Sequence, residues 1–535
     1  MIRDARKHPP PPTADLVIIG AGAAGITLAR ALADSPLQVV LLEAGGRRFD
    51  RHVQADYRAE RVTPWTHFAG ELGRRRAFGG TTSLWGGRCI PLDPMDYRAR
   101  DWIPFSGWPI GIEAIDPYMD GAMEVLQAGA AEFGVETLAG DAGPLAEDRS
   151  GVLDLGRVER YSLPLDFGGG YRRDLEAAAN LTCLLHAPVL RILAEAGQTR
   201  GVETPQGRIA APRVVLATGG IETARLLLAS GLGGAHVGRF YQTHIRVEFG
   251  SMRLAESHRA AFQKSRDGVW CRRYIAFDPA AQDTRRLPNA ALRPANPPLA
   301  DPAHGNAILS LIFLVKGVLI DEYRKILVGH RDRTKKALGY GWPLYRRHIG
   351  NVLRGIGPLA VFLARWVRQR ILPARKLPAA FLVTEDGRYR IDLQFEQVPN
   401  PDSRITLGRE TDAQGVPRVC IDWRPAAADR DGLARVIEAM QAASQPGRLE
   451  FDPGDIDPQT VELFPVPSHH MGTARMASGP ETGVCDANCE VFDTKGLYVA
   501  GAAAFPTSGF ANPTLMIVAL ALRLAAHLGH LPRRP

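Results

Sequence analysis

Residues 14–44 read ADLVIIGAGAAGITLARALADSPLQVVLLEA, and this stretch determines the fold that we expect. The apolar run at residues 15–20 is typical of a short buried strand, and residues 26–33 have the pattern of a helix. A second apolar run follows at residues 37–44. Strand, glycine-rich turn, helix and strand in this order predict a parallel sheet of the Rossmann type.

The turn contains the glycines Gly20, Gly22 and Gly25 at the start of the helix, where missing side chains let the backbone approach a pyrophosphate. Glu43 ends the next strand, 18 residues after Gly25. Its carboxylate can accept hydrogen bonds from the ribose hydroxyls of adenosine and would repel a 2′-phosphate. These residues fit FAD or NAD and disfavour NADP. Glycines alone would also fit a tight turn without a ligand.

A second glycine cluster favours FAD over NAD. Residues 79–87 read GGTTSLWGG, and such a loop can lay backbone amides along a flat ring. An ordinary glycine-rich surface turn is the alternative. The candidate flavin contacts in this loop are Gly79, Gly80, Thr81, Trp85 and Gly87.

The rest of the chain predicts an inserted second domain. Strand and helix patterns recur at residues 213–230 and 497–528, so the parallel sheet is assembled from distant pieces. The alternating runs at 388–397 and 404–410 suit antiparallel strands. We expect an α/β fold, α+β over the whole chain, in which an FAD-binding Rossmann-like domain with a parallel sheet carries an inserted substrate-binding domain with an antiparallel sheet and helices. The expected limits are a flexible leader at 1–13, the first FAD-binding part at 14–251 with the flavin loop at 77–89, the substrate-binding domain at 252–457 and the C-terminal FAD-binding part at 458–535.

The positive charge of the chain is concentrated in one segment. The net charge is +8, but residues 316–376 hold 15 Lys or Arg against three acids, which leaves −4 elsewhere. The segment also contains Trp, Leu and Ile residues, a pattern that fits an amphipathic surface for anionic lipid or for a partner protein. The alternative is a set of solvated helices that cover the substrate domain. No nucleic-acid-reading module is recognisable, so nucleic-acid binding is not expected.

Cysteine use and apolar runs indicate the compartment. Six cysteines in 535 residues are too few for a disulfide framework and suit a reducing compartment. No apolar h-region marks a signal peptide, and no apolar run reaches the roughly 20 residues of a membrane helix. We expect a cytoplasmic protein, with peripheral membrane association as an extension. Cys485 and Cys489 lie near His469 and His470 in the sequence, but their spacing is unsuited to zinc, and no metal site is expected.

Two C-terminal motifs give the chain a specific resemblance. They are SHHMGTARM at residues 468–476 and LYVAGAAAFPTSGFANPTL at residues 497–515. With the N-terminal motifs, ATGGIETARLLL at 217–228 and VGRFYQTH at 237–244, they stand in the order found in the glucose-methanol-choline (GMC) oxidoreductases, which the chain resembles over nearly its whole length. The inserted region matches only loosely.

The resemblance implies a catalytic pair. His469 stands three places before the glycine of the H-x-x-G-T motif and would work as acid and base at the flavin, and Asn512 would be the second active-site residue. A neutral imidazole can take the hydroxyl proton near pH 7 while the carbon gives up hydride, and an amide can orient the same oxygen. The alternatives are that His470 is the active histidine, and that Asn512 caps the helix that begins at Pro513.

The resemblance also implies the cofactor and the reaction. It places further cofactor contacts at Val189, Gly219, Gly501, Ala502, Pro513 and Thr514. Several relatives attach FAD through a histidine in the loop that corresponds to residues 79–89. This sequence has no histidine between His67 and His186, so the FAD should be noncovalent. The expected reaction is oxidation of an alcohol or sugar hydroxyl to the carbonyl by hydride transfer to flavin N5, by a dehydrogenase rather than an oxidase. The electron acceptor would be a quinone, a cytochrome or oxygen and not NAD. Alternatives are a hydroxynitrile-lyase type of enzyme and the large subunit of a membrane- or cytochrome-coupled dehydrogenase.

Overall fold

The structure is a computed structural model that describes residues 1–64, 67–163, 166–319 and 341–531. Residues 320–340 of the expected basic segment, and the last four residues of the chain, therefore lie outside the described residues. The strands, in chain order, are β1 Ile2–Asp4, β2 Leu16–Ile19, β3 Val39–Leu42, β4 Arg61–Thr63, β5 Arg88–Cys89, β6 Leu153–Tyr161, β7 Leu181–Leu185, β8 Arg191–Glu195, β9 Gln198–Thr204, β10 Gly207–Ala210, β11 Val214–Leu216, β12 Ile245–Leu254, β13 Gln263–Lys264, β14 Trp270–Phe277, β15 Ala290–Ala295, β16 Arg388–Phe395, β17 Arg404–Thr411, β18 Pro417–Asp422, β19 Leu449–Asp452, β20 Phe464–Pro465 and β21 Leu497–Val499.

The α-helices vary from single turns to long packed segments. They are Ala23–Ala31, Arg51–Gln54, Pro94–Tyr97, Met119–Val125, Phe167–Gly170, Arg172–Ala177, Gly220–Ser230, Pro279–Arg285, Ala307–Leu319, Trp342–Arg354, Ile356–Trp366, Ala427–Ala442 and Thr514–His530. A π-helical turn, Val367–Ile371, continues the helix Ile356–Trp366. Nowhere in the four described ranges does a helix combine the length and the apolar character needed to cross a membrane.

One of the two large sheets is parallel and has six strands, in the order β1-β7-β3-β2-β11-β21. Its central strands β2, β3 and β11 are buried along their whole length. Such continuous burial is typical of a parallel sheet that is covered on both faces. The helices Ala23–Ala31 and Thr514–His530 pack against each other although they lie at opposite ends of the chain.

The other large sheet has nine strands. Its order is β19-β12-β16-β15-β14-β6-β5, with β13 beside β14 and β20 beside β12, and its paired strands are antiparallel. The expected fold class is thus confirmed. Strands β5 and β6 precede residue 252 and β20 follows residue 457, so this sheet draws on both sides of the expected insertion. The domain limits themselves stay a prediction.

The N-terminal residues differ from the expected flexible leader at 1–13. Strand β1 pairs in parallel with β7, with Ile2 opposite Cys183, and forms the edge of the parallel sheet. The ammonium group of Met1 also donates to the carbonyl of Leu181 at 3.0 Å. These backbone hydrogen bonds fix the segment to the sheet, so the expectation of a flexible leader was wrong for residues 2–4.

Candidate active site

A cavity of about 630 Å³ is lined by residues of both large sheets. Gly20, Glu43, Gly219 and Gly501 all line it, and each follows the end of β2, β3, β11 or β21 by at most three residues. In open α/β sheets, ligands bind outside the carboxyl ends of the strands. The volume is also in the range of small-molecule sites.

Three lining glycines just after strands of the parallel sheet leave open space where a side chain would stand. A Cβ atom added to Gly22 or Gly219 would have no atom within 4 Å, and for Gly501 the nearest would be at 3.8 Å. Gly20 and Gly25 act differently. Gly20 has a φ of +99°, and a Cβ on Gly25 would lie 1.9 Å from the carbonyl oxygen of Gly20. The first three therefore open a cradle, whereas the last two allow a tight turn and close packing of the helix.

Glu43 is held by the backbone at the edge of this cradle. Its Oε2 accepts from the N–H of Ala21 at 3.0 Å, and its Oε1 accepts from the N–H of Gly45 at 2.8 Å. Burial raises the pKa of this carboxyl, while the two amide donors oppose that shift. Each oxygen keeps a further lone pair, so a carboxylate in this position can accept hydroxyl hydrogens from a ribose.

The structure brings most of the expected cofactor residues to the cavity. Three of the expected residues, Gly25, Gly79 and Gly87, are not part of the lining. A Cβ on Gly79 would lie 2.2 Å from an oxygen of Asp166, so this position is needed for packing. The expected cofactor residues that do line the cavity are Gly20, Gly22, Glu43, Gly80, Thr81, Trp85, Val189, Gly219, Gly501, Ala502, Pro513 and Thr514.

His469 lines the cavity between two specific partners. Its Nδ1 lies 2.7 Å from Nδ1 of His244, and its Nε2 lies 3.3 Å from Nδ2 of Asn512. His244 is fully buried, and its Nε2 lies 3.2 Å from the carbonyl oxygen of Ser508. Because a carbonyl oxygen only accepts, His244 carries its hydrogen on Nε2, and burial lowers its pKa to about 4.

These hydrogen bonds determine the tautomer of His469. Neutral His244 with its hydrogen on Nε2 can only accept at Nδ1, so His469 donates from its own Nδ1. The lone pair of His469 then lies on Nε2, on the side of Asn512. Burial, His244, His470 and the positive charges of Arg88 and Arg293 hold the pKa of His469 well below its ordinary value. His469 is therefore neutral near pH 7, as a base must be.

Asn512 does not cap the following helix. The helix Thr514–His530 has no side-chain cap, and Oδ1 of Asn512 is buried without a hydrogen-bond partner among the described residues. The amide nitrogen instead faces Nε2 of His469. The capping alternative is thus not found in the structure, and the amide is available to a ligand in the cavity.

His470 also lines the cavity but belongs to a different hydrogen-bond chain. Its Nδ1 lies 2.7 Å from the hydroxyl of Tyr241, which lies 2.8 Å from Nε2 of His67. His67 Nδ1 faces the carbonyl oxygen of Phe68 at 2.7 Å and must donate to it. Tyr241 then donates to His67 and accepts from His470, so Nε2 of His470 is unprotonated as well. What distinguishes His469 is its contact with Asn512.

Sequence reasoning missed several residues of the site. His244 lies inside the VGRFYQTH motif, and Arg88 directly follows the GGTTSLWGG loop, so both could have been singled out. Tyr241 lies in the same motif as His244. His67 and Arg272 gave no such signal, because strands and loops far apart in the chain bring them to the site.

The cysteine and histidine residues near the C-terminus make no metal centre within the described ranges. Cys485 is buried and donates to the carbonyl of Ala474 at 3.3 Å, and Cys489 is buried beside Met476. No group of three or more His, Cys, Asp and Glu side chains is arranged to hold a metal ion in the part of the chain that the structure describes.

Comparison with known proteins agrees with this architecture. Residues 399–521 match the family model described as GMC oxidoreductase. The expected family is confirmed. The matched region contains both His469 and Asn512, so this GMC oxidoreductase carries its candidate catalytic pair within the part that the family model covers.

Individual relatives of this GMC oxidoreductase resemble it to different extents. The 2-methyl-1,2-propanediol dehydrogenase of Mycolicibacterium austroafricanum is 24% identical over 574 residues, which cover 96% of this chain and 95% of that protein. The 6'''-hydroxyparomomycin C oxidase of Streptomyces lividus is 31% identical over 155 residues, 28% of this chain and 27% of that protein. The crystal structure of pyridoxine 4-oxidase from Mesorbium loti matches with a TM-score of 0.52 and 18% identity over 97% of this chain and 100% of that one, which shows a shared fold.

Proposed function

We propose that this GMC oxidoreductase uses FAD to oxidise an alcohol or sugar hydroxyl to the carbonyl. The observation that carries the proposal is the pairing of His469 Nε2 with Asn512 Nδ2, 3.3 Å apart, in a cavity that is also lined by Gly20, Gly22 and Glu43. The dehydrogenase and the oxidase among the relatives support an oxidoreductase, but they do not agree on the electron acceptor.

The residues of the cavity fit FAD. The open space at Gly22, Gly219 and Gly501 suits a pyrophosphate and the groups beside it, and Glu43 suits the adenosine ribose. The sequence has no histidine between His67 and His186, so we expect the protein to hold FAD by noncovalent contacts alone. FAD, when bound, accepts the hydride that leaves the substrate carbon.

His469 and the side chains around it would accept the hydroxyl proton of the substrate and hold the substrate oxygen in place. Nε2 of His469 accepts the hydrogen of the substrate hydroxyl, while its Nδ1–H donates to His244. The amide of Asn512 donates to the same substrate oxygen and holds it beside Nε2. His244 is not part of the cavity lining and acts on the substrate only through His469, so it is a positioning residue.

The proposal is tested by adding a panel of alcohols and sugars to the FAD-loaded protein without oxygen. An oxidoreductase bleaches the visible flavin band as it forms the carbonyl product. A lyase of the hydroxynitrile type cleaves its substrate while FAD stays oxidised, which would contradict the proposal. The bleached protein is then mixed with oxygen or with a quinone. Fast reoxidation by oxygen would indicate an oxidase, and fast reoxidation by the quinone alone would indicate a dehydrogenase, which is the result we expect.

Replacing His244 tests the tautomer that it imposes. His244→Leu removes the acceptor for Nδ1–H of His469, and we expect the rate of FAD reduction at saturating substrate to fall by roughly 10- to 100-fold. His244→Gln keeps an acceptor oxygen and should recover most of that loss. Stopped-flow reduction gives the rate and the substrate Kd separately. A purely structural role would lower FAD content or substrate affinity in both variants alike and leave the reduction rate unchanged.

We also propose that residues 341–376 form a peripheral membrane surface. This segment carries eight Arg or Lys and no acid. Its helix Ile356–Trp366 exposes most of its apolar residues to solvent, and Ile371 and Leu372 of the following turn are 60% and 75% exposed. Positive charge beside exposed large apolar side chains fits an anionic lipid surface, where the cations meet headgroups and the apolar groups enter the acyl boundary.

Vesicle sedimentation tests this surface. Arg365→Glu with Arg368→Glu should weaken binding to vesicles that contain phosphatidylglycerol by at least about tenfold, because each basic residue near such a surface contributes about 1 kcal/mol. The exposed cations Arg173 and Arg285 lie outside the segment, and their double reversal to Glu is the matched control. Equal recovery with neutral and anionic vesicles, or equal binding by the two double variants, would contradict the proposal.

A further inference from the structure

The antiparallel sheet contributes a positively charged part of the cavity lining. Arg88 of β5, Tyr161 of β6 and Arg272 of β14 line the cavity together with the rings of Phe262 and Phe381. The rings of Tyr161 and Phe262 are in edge contact, with centroids 5.3 Å apart. The carboxylates that line the cavity, Glu43 and Glu222, come from the nucleotide-binding side, and the antiparallel sheet contributes none in the described residues.

Arg272 is a buried cation without a carboxylate partner. It is 9% exposed, and its guanidinium carbon lies 4.2 Å from the centroid of the Phe381 ring. Its Nε donates to the carbonyl of Ala260 at 3.1 Å and its Nη2 to the carbonyl of Pro294. No carboxylate of the described residues forms an ion pair with it. Peptide dipoles and aromatic faces therefore stabilise the charge in place of an ion pair.

Arg88 shares its single counter-charge with another arginine. Its Nε lies 3.2 Å from Oε2 of Glu159, and Nε of Arg293 lies 2.9 Å from the same oxygen. Tyr161 also donates to this carboxylate. Both terminal nitrogens of Arg293 are buried without hydrogen-bond partners. One fully buried carboxylate thus faces two guanidinium groups and cannot neutralise both.

The charged groups next to Arg88, Arg293 and Glu159 do not remove the excess of positive charge. Arg246 pairs with Asp392 at 2.6 Å and with Glu248 at 2.7 Å. With these included, four arginines stand against three carboxylates, and of these four Arg88 and Arg272 line the cavity. A ligand that brings one negative charge would balance the site.

We infer that this part of the cavity binds an oxyanion group of the substrate, a carboxylate or a phosphate. The inference rests on the proposed function, because it adds the substrate class to the same site. Guanidinium groups bind such groups with charge-assisted hydrogen bonds, often two at once. Arg88 and His469 line the same cavity, so an alcohol that also carries an anionic group can contact both. The rings of Phe262 and Phe381 in the same lining can pack against an apolar part of such a substrate.

Binding of small anions to the FAD-loaded protein tests the inference without turnover. Benzoate and inorganic phosphate are the probes for the two oxyanions, and benzamide is the neutral counterpart of benzoate. We expect calorimetry to show that at least one anion binds ten or more times more tightly than benzamide. Arg272→Gln should reduce that preference at least about tenfold, in line with loss of a charge-assisted hydrogen bond. Arg272→Lys keeps the charge and should keep part of the preference.

The controls separate this inference from the proposed function. Arg285→Gln removes a cation outside the cavity and should not change anion binding, and the FAD content of each variant reports whether it has folded. If neither anion binds better than benzamide, or if Arg272→Gln leaves the preference intact, the inference is overturned. An anion that binds through Arg272 in a protein whose FAD no alcohol reduces would support the subsite and contradict the proposed reaction.

Discussion

His469→Ala is expected to slow anaerobic FAD reduction by at least about 10³-fold while FAD stays bound. A positioned general base contributes roughly 10²- to 10⁴-fold, and His469 is the residue whose Nε2 lone pair faces Asn512. The FAD content should be unchanged, because Gly20, Gly22 and Glu43, the residues proposed to hold the dinucleotide, are not altered. Stopped-flow absorbance with one alcohol at saturation measures the effect.

His470→Ala is the matched control for the base. Its Nε2 is also unprotonated, but its ring bonds to Tyr241 and not to Asn512, so we expect a change of less than about tenfold. The reverse result, in which FAD reduction is slow in His470→Ala and normal in His469→Ala, would assign the base to His470. The pKa of His469 is held well below its ordinary value of 6.5. The wild-type rate should therefore stay level as the pH is lowered through 6.5 and fall only when His469 is protonated at lower pH.

Gly22→Leu is expected to abolish FAD binding without unfolding the protein. The backbone of Gly22 is extended, with φ −92°, and an added Cβ would meet no atom within 4 Å, so leucine fits the chain itself. Its side chain would instead project into the cradle where the pyrophosphate should lie. Purified protein should lose the visible flavin spectrum and all activity.

Gly140→Leu is the control for that substitution. Gly140 is exposed, and a Cβ there would also have no atom within 4 Å. This variant should keep one FAD per chain and normal activity. If Gly22→Leu binds FAD as well as Gly140→Leu does, the cradle does not hold the dinucleotide.

Local patterns in the sequence were enough to predict that Gly20, Gly22 and Glu43 lie together in one site. Gly20, Gly22 and Glu43 lie within one strand–turn–helix–strand unit, where each position is determined by short-range geometry. The strand β16 was likewise expected from its alternating pattern at residues 388–397. A three-residue strand such as β1 has no periodicity to detect, and proline residues nearby suggested flexibility instead.

The surroundings of His469 and Arg88 depend on contacts between distant parts of the chain. His244 and His469 are separated by 225 residues, and no spacing rule connects them. Arg88 belongs to a strand of two residues. The balance of charge around it depends on Glu159 of the adjacent strand β6 and on Arg293 of β15, which lies further along the same sheet. Sequence motifs could place His469 and Asn512 by resemblance, but the tautomer of His469 required the fold.

The most direct test of the account is the rate of anaerobic FAD reduction by an alcohol and by the same alcohol with deuterium on its carbinol carbon. If hydride passes from that carbon to FAD while His469 takes the proton, the deuterated alcohol must reduce FAD several times more slowly, and the visible flavin band must disappear with both. Carbonyl product that appears while FAD remains oxidised, or FAD that no alcohol of the panel reduces, would contradict the account.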